Sequence, residues 1–145
     1  MKYSIIFFLF FLSISADAQK SDLLDCAVKS ENANGPANVE VYIFSDPRCG
    51  FCRRALKDIG GWSKGKSINI IAMDLSGEPE STSQLELYTE NEVEVRDASQ
   101  CDEKIKKFIP RIYIKETGSN KQVMKLRGWH TRDLDKLEKK LKKYI

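Results

Sequence analysis

Cys49 and Cys52 stand three residues apart in Cys49-Gly50-Phe51-Cys52, where an apolar run, Val39–Phe44, gives way to a helical pattern from Arg53 to Ile59. Two thiols at i and i+3 on the first turn of a helix can close a small disulfide ring. The first sulfur then lies over unpaired N–H groups and the positive end of the helix dipole, which favour a thiolate. That is the chemistry of a reversible dithiol switch. As a structural staple such a pair is poor, because the short loop it closes removes little unfolded-state entropy. Arg48 adds a cation beside Cys49 that acts in the same direction as the helix.

The remaining cysteines, Cys26 and Cys101, are far apart in the 145-residue chain. A bridge is most useful at such a distance, and we expect one that ties the N-terminal lead-in to the core. Separate free thiols or a second redox pair are the alternatives, since four cysteines allow three connectivities. The compartment bears on this reading. Met1-Lys2, the apolar stretch Ile5–Leu12 and Ala16-Asp17-Ala18 form the three-part pattern of a secretory signal peptide over residues 1–18. Its apolar core falls short of the roughly 20 residues that a membrane span needs. The chain from Gln19 onward is therefore expected to be secreted or periplasmic, where disulfides persist, with no membrane span after cleavage. A formal net charge of +3 gives no strong field for nucleic acid, and most of the excess lies in Lys136–Lys143.

The elements that position the dithiol follow from periodicity. Residues 19–38 read as a polar lead-in, with a short helix over 21–28 and loop chemistry around Gly35-Pro36. Val39–Phe44 and Ile68–Met73 are buried strands. Between them Cys52, Ala55, Leu56 and Ile59 share one helix face, which turns Cys52 inward and leaves Cys49 at the mouth; Gly60-Gly61 is expected to end that helix. Residues 78–91 are acidic and ambiguous, Val93–Arg96 alternates like a short strand, and a capping pattern at residues 99–102 opens a short helix carrying Ile105, Phe108 and Ile109. Arg111–Lys115 and Val123–Arg127 make an antiparallel hairpin. Thr131 is expected to cap a last helix with Leu134, Leu137 and Leu141 on its buried stripe. The order β–α–β–insert–β–β–α describes an α/β sandwich around one small sheet.

This layout resembles the thioredoxin family over nearly all of residues 39–145. Cys49 and Cys52 match the family's active-site cysteines, Ile109-Pro110 its cis-proline element, and Gly128 a glycine common before the last helix. The resemblance implies a small central mixed sheet flanked by helices, with residues 39–145 as the domain. It implies a thiol–disulfide oxidoreductase without a cofactor or metal, in which Cys49 attacks and Cys52 resolves. Ile109 and Pro110 would line the substrate groove. Departures are specific: Ile43 replaces the buried Asp six residues before the first cysteine, and Arg48 and Gly-Phe replace the usual Trp and Gly-Pro. Phe44-Ser45-Asp46 before Cys-Gly-Phe-Cys is similar to periplasmic disulfide isomerases, while the long segment 74–108 resembles exported thioredoxins of the TlpA and ResA type.

The expected partners are protein thiols and disulfides, including a redox partner protein, with the chain acting as a monomer and reductase direction favoured over isomerase or oxidase. Arg53, Arg54 and Lys57 read as solvated helix residues. The competing classes are a zinc- or copper-binding module built on Cys49, Cys52 and the sole histidine, His130, and a non-catalytic interaction domain.

Overall fold

A computed structural model of the chain describes residues 37–89, 93–101, 103–119 and 121–145. The expected signal peptide, the lead-in up to Pro36 and Cys26 lie outside these residues. Strand β1 (Val39–Ser45) is followed by helix α1 (Gly50–Ser63), β2 (Ile68–Asp74), α2 (Ser81–Tyr88) and β3 (Glu94–Asp97). A single helical turn, α3 (Glu103–Lys106), then leads to β4 (Arg111–Glu116), β5 (Gln122–Arg127) and the closing helix α4 (Thr131–Leu141). The strands form one mixed sheet in the order β3-β2-β1-β4-β5.

β1 is central because all seven of its residues are buried and both its edges are paired. It runs parallel to β2 (Val41↔Ile70, Ser45↔Asp74) and antiparallel to β4 (Glu40↔Lys115, Phe44↔Arg111). Strand alternation splits the core in two. Val39, Val41 and Ile43 face Ala55, Leu56 and Ile59 of α1, together with Trp129 and Leu137 and Leu141 of α4. Tyr42 and Phe44 face the other way, with Ile71, Met73, Tyr113, Cys101 and Ile105. Burial at this level is worth about 1.5–3 kcal/mol for each large apolar side chain.

Two local readings of the sequence are corrected. α1 does not stop at Gly60-Gly61 but continues to Ser63. Gly60 is buried, and a Cβ placed on it would sit 3.9 Å from Val93 Cγ2, so packing holds the helix together past two poor helix formers. The turn out of the helix falls instead at Gly65, whose φ is +73°. In α4 the N-cap position is His130, and Thr131 is the first helical residue. Asp133 Oδ2 accepts the His130 backbone N–H at 2.8 Å. The ambiguous segment after β2 does contain a helix, α2, of which Ser81 and Leu85 are buried. The alternating segment after it pairs in parallel with β2 and forms the sheet edge.

This topology decides where a site can form. The C-terminal ends of β1 and β2 and the N-terminal end of β4 meet at one end of the sheet. Asp74 closes β2 there and the adjoining loops carry Cys49 and Pro110, so residues distant in sequence converge outside the carboxyl ends of parallel strands.

Candidate active site

The loop from β1 into α1 is set by short-range bonds. Cys49 N–H donates to the Asp46 carbonyl at 2.9 Å, and Arg53 N–H closes the first helical turn onto the Cys49 carbonyl at 3.1 Å. Cys49 is therefore the N-cap, and its side chain does the capping: the Cys52 backbone N–H donates to Cys49 Sγ at 3.2 Å. A sulfur held over an orphan N–H at a helix start is where negative charge is best tolerated.

Cys49 and Cys52 are disulfide-bonded, with Cα atoms 5.2 Å apart. The two are not equivalent. Cys52 is fully buried beside Ala55 and Leu56, whereas Cys49 is only half-buried. Of the two sulfur-bearing residues, Cys49 is thus the one open to solvent.

Beside the disulfide, the Ile109–Pro110 peptide bond is cis, and the Ile109 carbonyl oxygen lies 4.0 Å from Cys49 Sγ. The Pro110 carbonyl accepts the Gly128 N–H at 2.7 Å, so the corner between β5 and α4 braces this loop. Phe51, inside the CxxC, and Phe108, two residues before Pro110, are 56 % and 61 % exposed. The sequence places Phe108 on a buried helix face; the helix is only one turn long, and residue 108 lies beyond it, exposed, with the Arg111 guanidinium 5.9 Å from its ring centroid.

Arg48 lies in an ion-pair cluster. Its Nη2 reaches Asp46 Oδ2 at 2.7 Å, its Nε reaches Asp46 Oδ1 at 3.0 Å, and its Nη1 reaches Glu78 Oε1 at 3.3 Å. The Arg48 hydrogen bond holds the Asp46 carboxyl below the usual carboxylate range, against an upward push from partial burial. The charge that residue 48 presents to Cys49 is thus that of a cation shared between two carboxylates.

Position 43, where the family carries its buried Asp, is a fully buried Ile packed in the core. A buried carboxylate nevertheless lies at this end of the sheet: Asp74, 3 % exposed, stands opposite Ser45 of β1. Ser76 N–H and Ser76 Oγ donate to its Oδ1 at 2.9 and 2.8 Å, and Ser81 Oγ donates to its Oδ2. Sequence reading missed it, although Asp followed two residues later by Ser is the signature of a side-chain-capped turn. The link from Trp129 Nε1 to Asp58 Oδ2 at 2.9 Å, which ties the start of α4 to α1, carried no local signal at all.

His130 is exposed at the N-cap of α4 and, among the described residues, is not hydrogen-bonded to either active-site cysteine. Among the same residues no three His, Cys, Asp or Glu side chains cluster as metal ligands, so Cys49 and Cys52 stand as a pair. Cys101 is buried and is not a free thiol. No helix of the described residues is long and apolar enough to cross a membrane.

A five-stranded mixed sheet flanked by helices, with a CxxC at the first helix and a cis-proline beside it, is the thioredoxin fold. Solved structures of that fold match the chain. A Chlorobium tepidum protein assigned as a thiol:disulfide interchange protein DsbE superposes with a TM-score of 0.60 at 16 % identity, covering 75 % of this chain and 81 % of that one. A secreted Mycobacterium tuberculosis disulfide oxidoreductase homologous to E. coli DsbE gives 0.55 at 10 % identity, over 73 % and 81 % of the two chains. StoA from Bacillus subtilis gives 0.54 at 13 % identity, over 78 % and 90 %. No protein-family model matches the chain, and no curated protein matches it in sequence.

Proposed function

We propose that the protein is an exported thiol–disulfide oxidoreductase that exchanges disulfides with protein substrates through Cys49 and Cys52. One observation carries this reading: a half-buried Cys49 sulfur caps α1 next to the cis-Pro110 loop, while its partner sulfur is fully buried. The named activities of the DsbE-type structural neighbours agree with it.

In the reduced protein, the Cys49 thiolate attacks one sulfur of a substrate disulfide. A Cys49–substrate bond forms, and the other substrate sulfur leaves as a thiolate that takes up a proton. Cys52, on losing its proton, then attacks Cys49 Sγ. The mixed disulfide breaks, the Cys49–Cys52 bond forms, and the second substrate sulfur leaves. Two electrons and two protons pass to the substrate in all. Ile109 and Pro110 shape the groove, in which an extended substrate segment pairs with the Ile109 backbone. The helix terminus supplies the main bias toward thiolate, with ion-paired Arg48 adding to it. Residues 1–18 act as the signal peptide, 19–38 as the lead-in, and Cys26–Cys101 as the bridge that fastens it to the domain at residues 39–145. The active form is a monomer, served by a redox partner protein, and the favoured direction is reduction.

Reduction of insulin by the dithiol, together with a Cys52→Ser variant that accumulates mixed disulfides, tests the chemistry. Absence of both would overturn it. Direction is read from a glutathione-buffer titration, in which a potential near about −270 mV marks a reductant and one near about −120 mV an oxidant.

A further inference from the structure

We propose that a basic cleft on the outer side of α1 recognises acidic side chains that flank the cysteines of the partner protein, so that the enzyme acts preferentially on acidic disulfide segments. This deepens the oxidoreductase reading and rests on it for the identity of the partner. The cleft is a cavity of about 510 Å³ where α1 meets the end of α2 and the start of α4, and it is lined by Arg53, Arg54, Lys57, Asp58, Tyr88 and Thr131.

Three features together bear on what it binds. The first is the gathering of cations without counter-ions in one concavity. Arg48, Arg96, Lys106, Lys115, Lys121 and Lys136 are each paired with a carboxylate, and Lys139 and Lys140 of α4, unpaired among the described residues, lie outside this cleft. Among the described residues, Arg53, Arg54 and Lys57 have no such pairing, and the single acid among them, Asp58, is engaged by the Trp129 indole.

The second is preorganisation. Arg53 Nη1 donates to the Pro47 carbonyl at 2.9 Å, and its guanidinium stacks 5.5 Å from the Tyr88 ring centroid. An arginine already fixed on two sides loses little further freedom when it binds a carboxylate. Lys57 is one helical turn further along the same face.

The third is position. Arg53 directly follows Cys52, and its Pro47 contact reaches the loop that leads into Cys49. Along α1, at about 1.5 Å of rise per residue, Arg53 lies about 6 Å and Lys57 about 12 Å beyond Cys49, a span that a few extended residues flanking a substrate cysteine cover. Charge complementarity of this kind raises the encounter rate and selects partners.

Two synthetic peptides with the same single disulfide, one flanked by glutamates and one by glutamines, provide the test. Reduction by the full-length dithiol protein is followed at 20 mM and 500 mM salt. The glutamate peptide should react about tenfold faster at low salt, and the advantage should vanish at high salt. In an Arg54→Gln/Lys57→Gln variant, the ratio between the peptides should fall toward one at low salt. A ratio of one in the wild-type protein, or one that survives the double substitution, overturns the proposal. Serine-for-cysteine versions of both peptides, titrated against the oxidised protein by NMR, separate the cleft from the chemistry. If neither disulfide peptide reacts, the oxidoreductase reading falls. The cleft then stands only if the glutamate peptide alone shifts the amides of Arg54, Lys57 and Thr131, and it falls if those signals do not move.

Discussion

The clearest quantitative expectation concerns Glu40 and Lys115, which face each other across the central pair of strands. Glu40 is 4 % exposed and its Oε2 lies 2.9 Å from Lys115 Nζ, whose side chain is 12 % exposed. Tyr42 OH donates to the same Oε2 at 2.8 Å, and burial first, then this carboxylate, hold the phenol protonated far above its usual range. Replacing Glu40 by Gln leaves a buried ammonium without its charge partner. Breaking such a pair costs about 3–5 kcal/mol in a fully buried setting. Here Lys115 keeps some solvent and lies 5.6 Å from the Tyr42 ring centroid, so about 2–3 kcal/mol is expected for Glu40→Gln, and a similar loss for Lys115→Met. For a domain of this size that lowers the melting temperature by roughly 8–12 °C. The double variant should lie within about 1–2 kcal/mol of the parent, because no unpaired charge remains. Urea denaturation of all four proteins gives the coupling directly. A single variant within about 0.5 kcal/mol of the parent, or a double variant as unstable as the sum of the singles, would refute the argument. The pair matters to function because Glu40 opposite Lys115 fixes the register of β1 on β4. That register sets where Cys49 and Pro110 meet, and a slip of one residue would exchange the side chains that fill the two half-cores.

Three further outcomes are expected. Asp58→Ala removes the acceptor of the buried Trp129 indole N–H and should cost about 1–2 kcal/mol in urea titration; a neutral result would show that water replaces the carboxylate. Gly77 has φ +70°, and a Cβ there would stand 2.9 Å from Ser99 Cβ, so Gly77→Ala should cost about 2–3 kcal/mol by thermal melting. The Asp133 carboxyl is pushed upward by burial, but the Lys136 ammonium and the His130 N–H together outweigh this and hold it below its usual value. A carboxyl depressed in the folded state stabilises fully above about pH 4 and loses that stabilisation as the pH falls through its folded-state value. Asp133→Asn should accordingly flatten the stability profile below about pH 4 and cost about 1 kcal/mol at neutrality, measured as urea midpoint against pH.

What could be read in the sequence was whatever the chain expresses locally. β1, β2, the hairpin and α4 have strong apolar periods, and Cys49, Cys52 and Pro110 are marked by their own types and spacing. The failures share a cause. α2 buries only Ser81 and Leu85, too few for a helical period to show. α1 overruns Gly60-Gly61 because Gly60 packs toward Val93, more than thirty residues away. Asp74 becomes a buried, triply bonded carboxylate only when Ser81 folds back onto it, and Arg53, Arg54 and Lys57 become a cleft only when Tyr88 and Thr131 close around them. Pattern within a window predicts elements; it does not report which distant side chains will share a space.

The division of the core by β1 has a mechanical consequence. The sulfur-bearing helix is seated on one half-core, through Leu56 and Ile59, while the segment that leads to the proline is seated on the other, through Ile105 and Ile109. The helix that carries the disulfide and the loop that carries the cis-proline are thus anchored on opposite sides of a single plate, and Cys49 Sγ and the Ile109 carbonyl lie 4.0 Å apart where they approach. Substitutions in either half-core therefore reach the gap between Cys49 and the Ile109 carbonyl from different sides, without altering any residue that lines it.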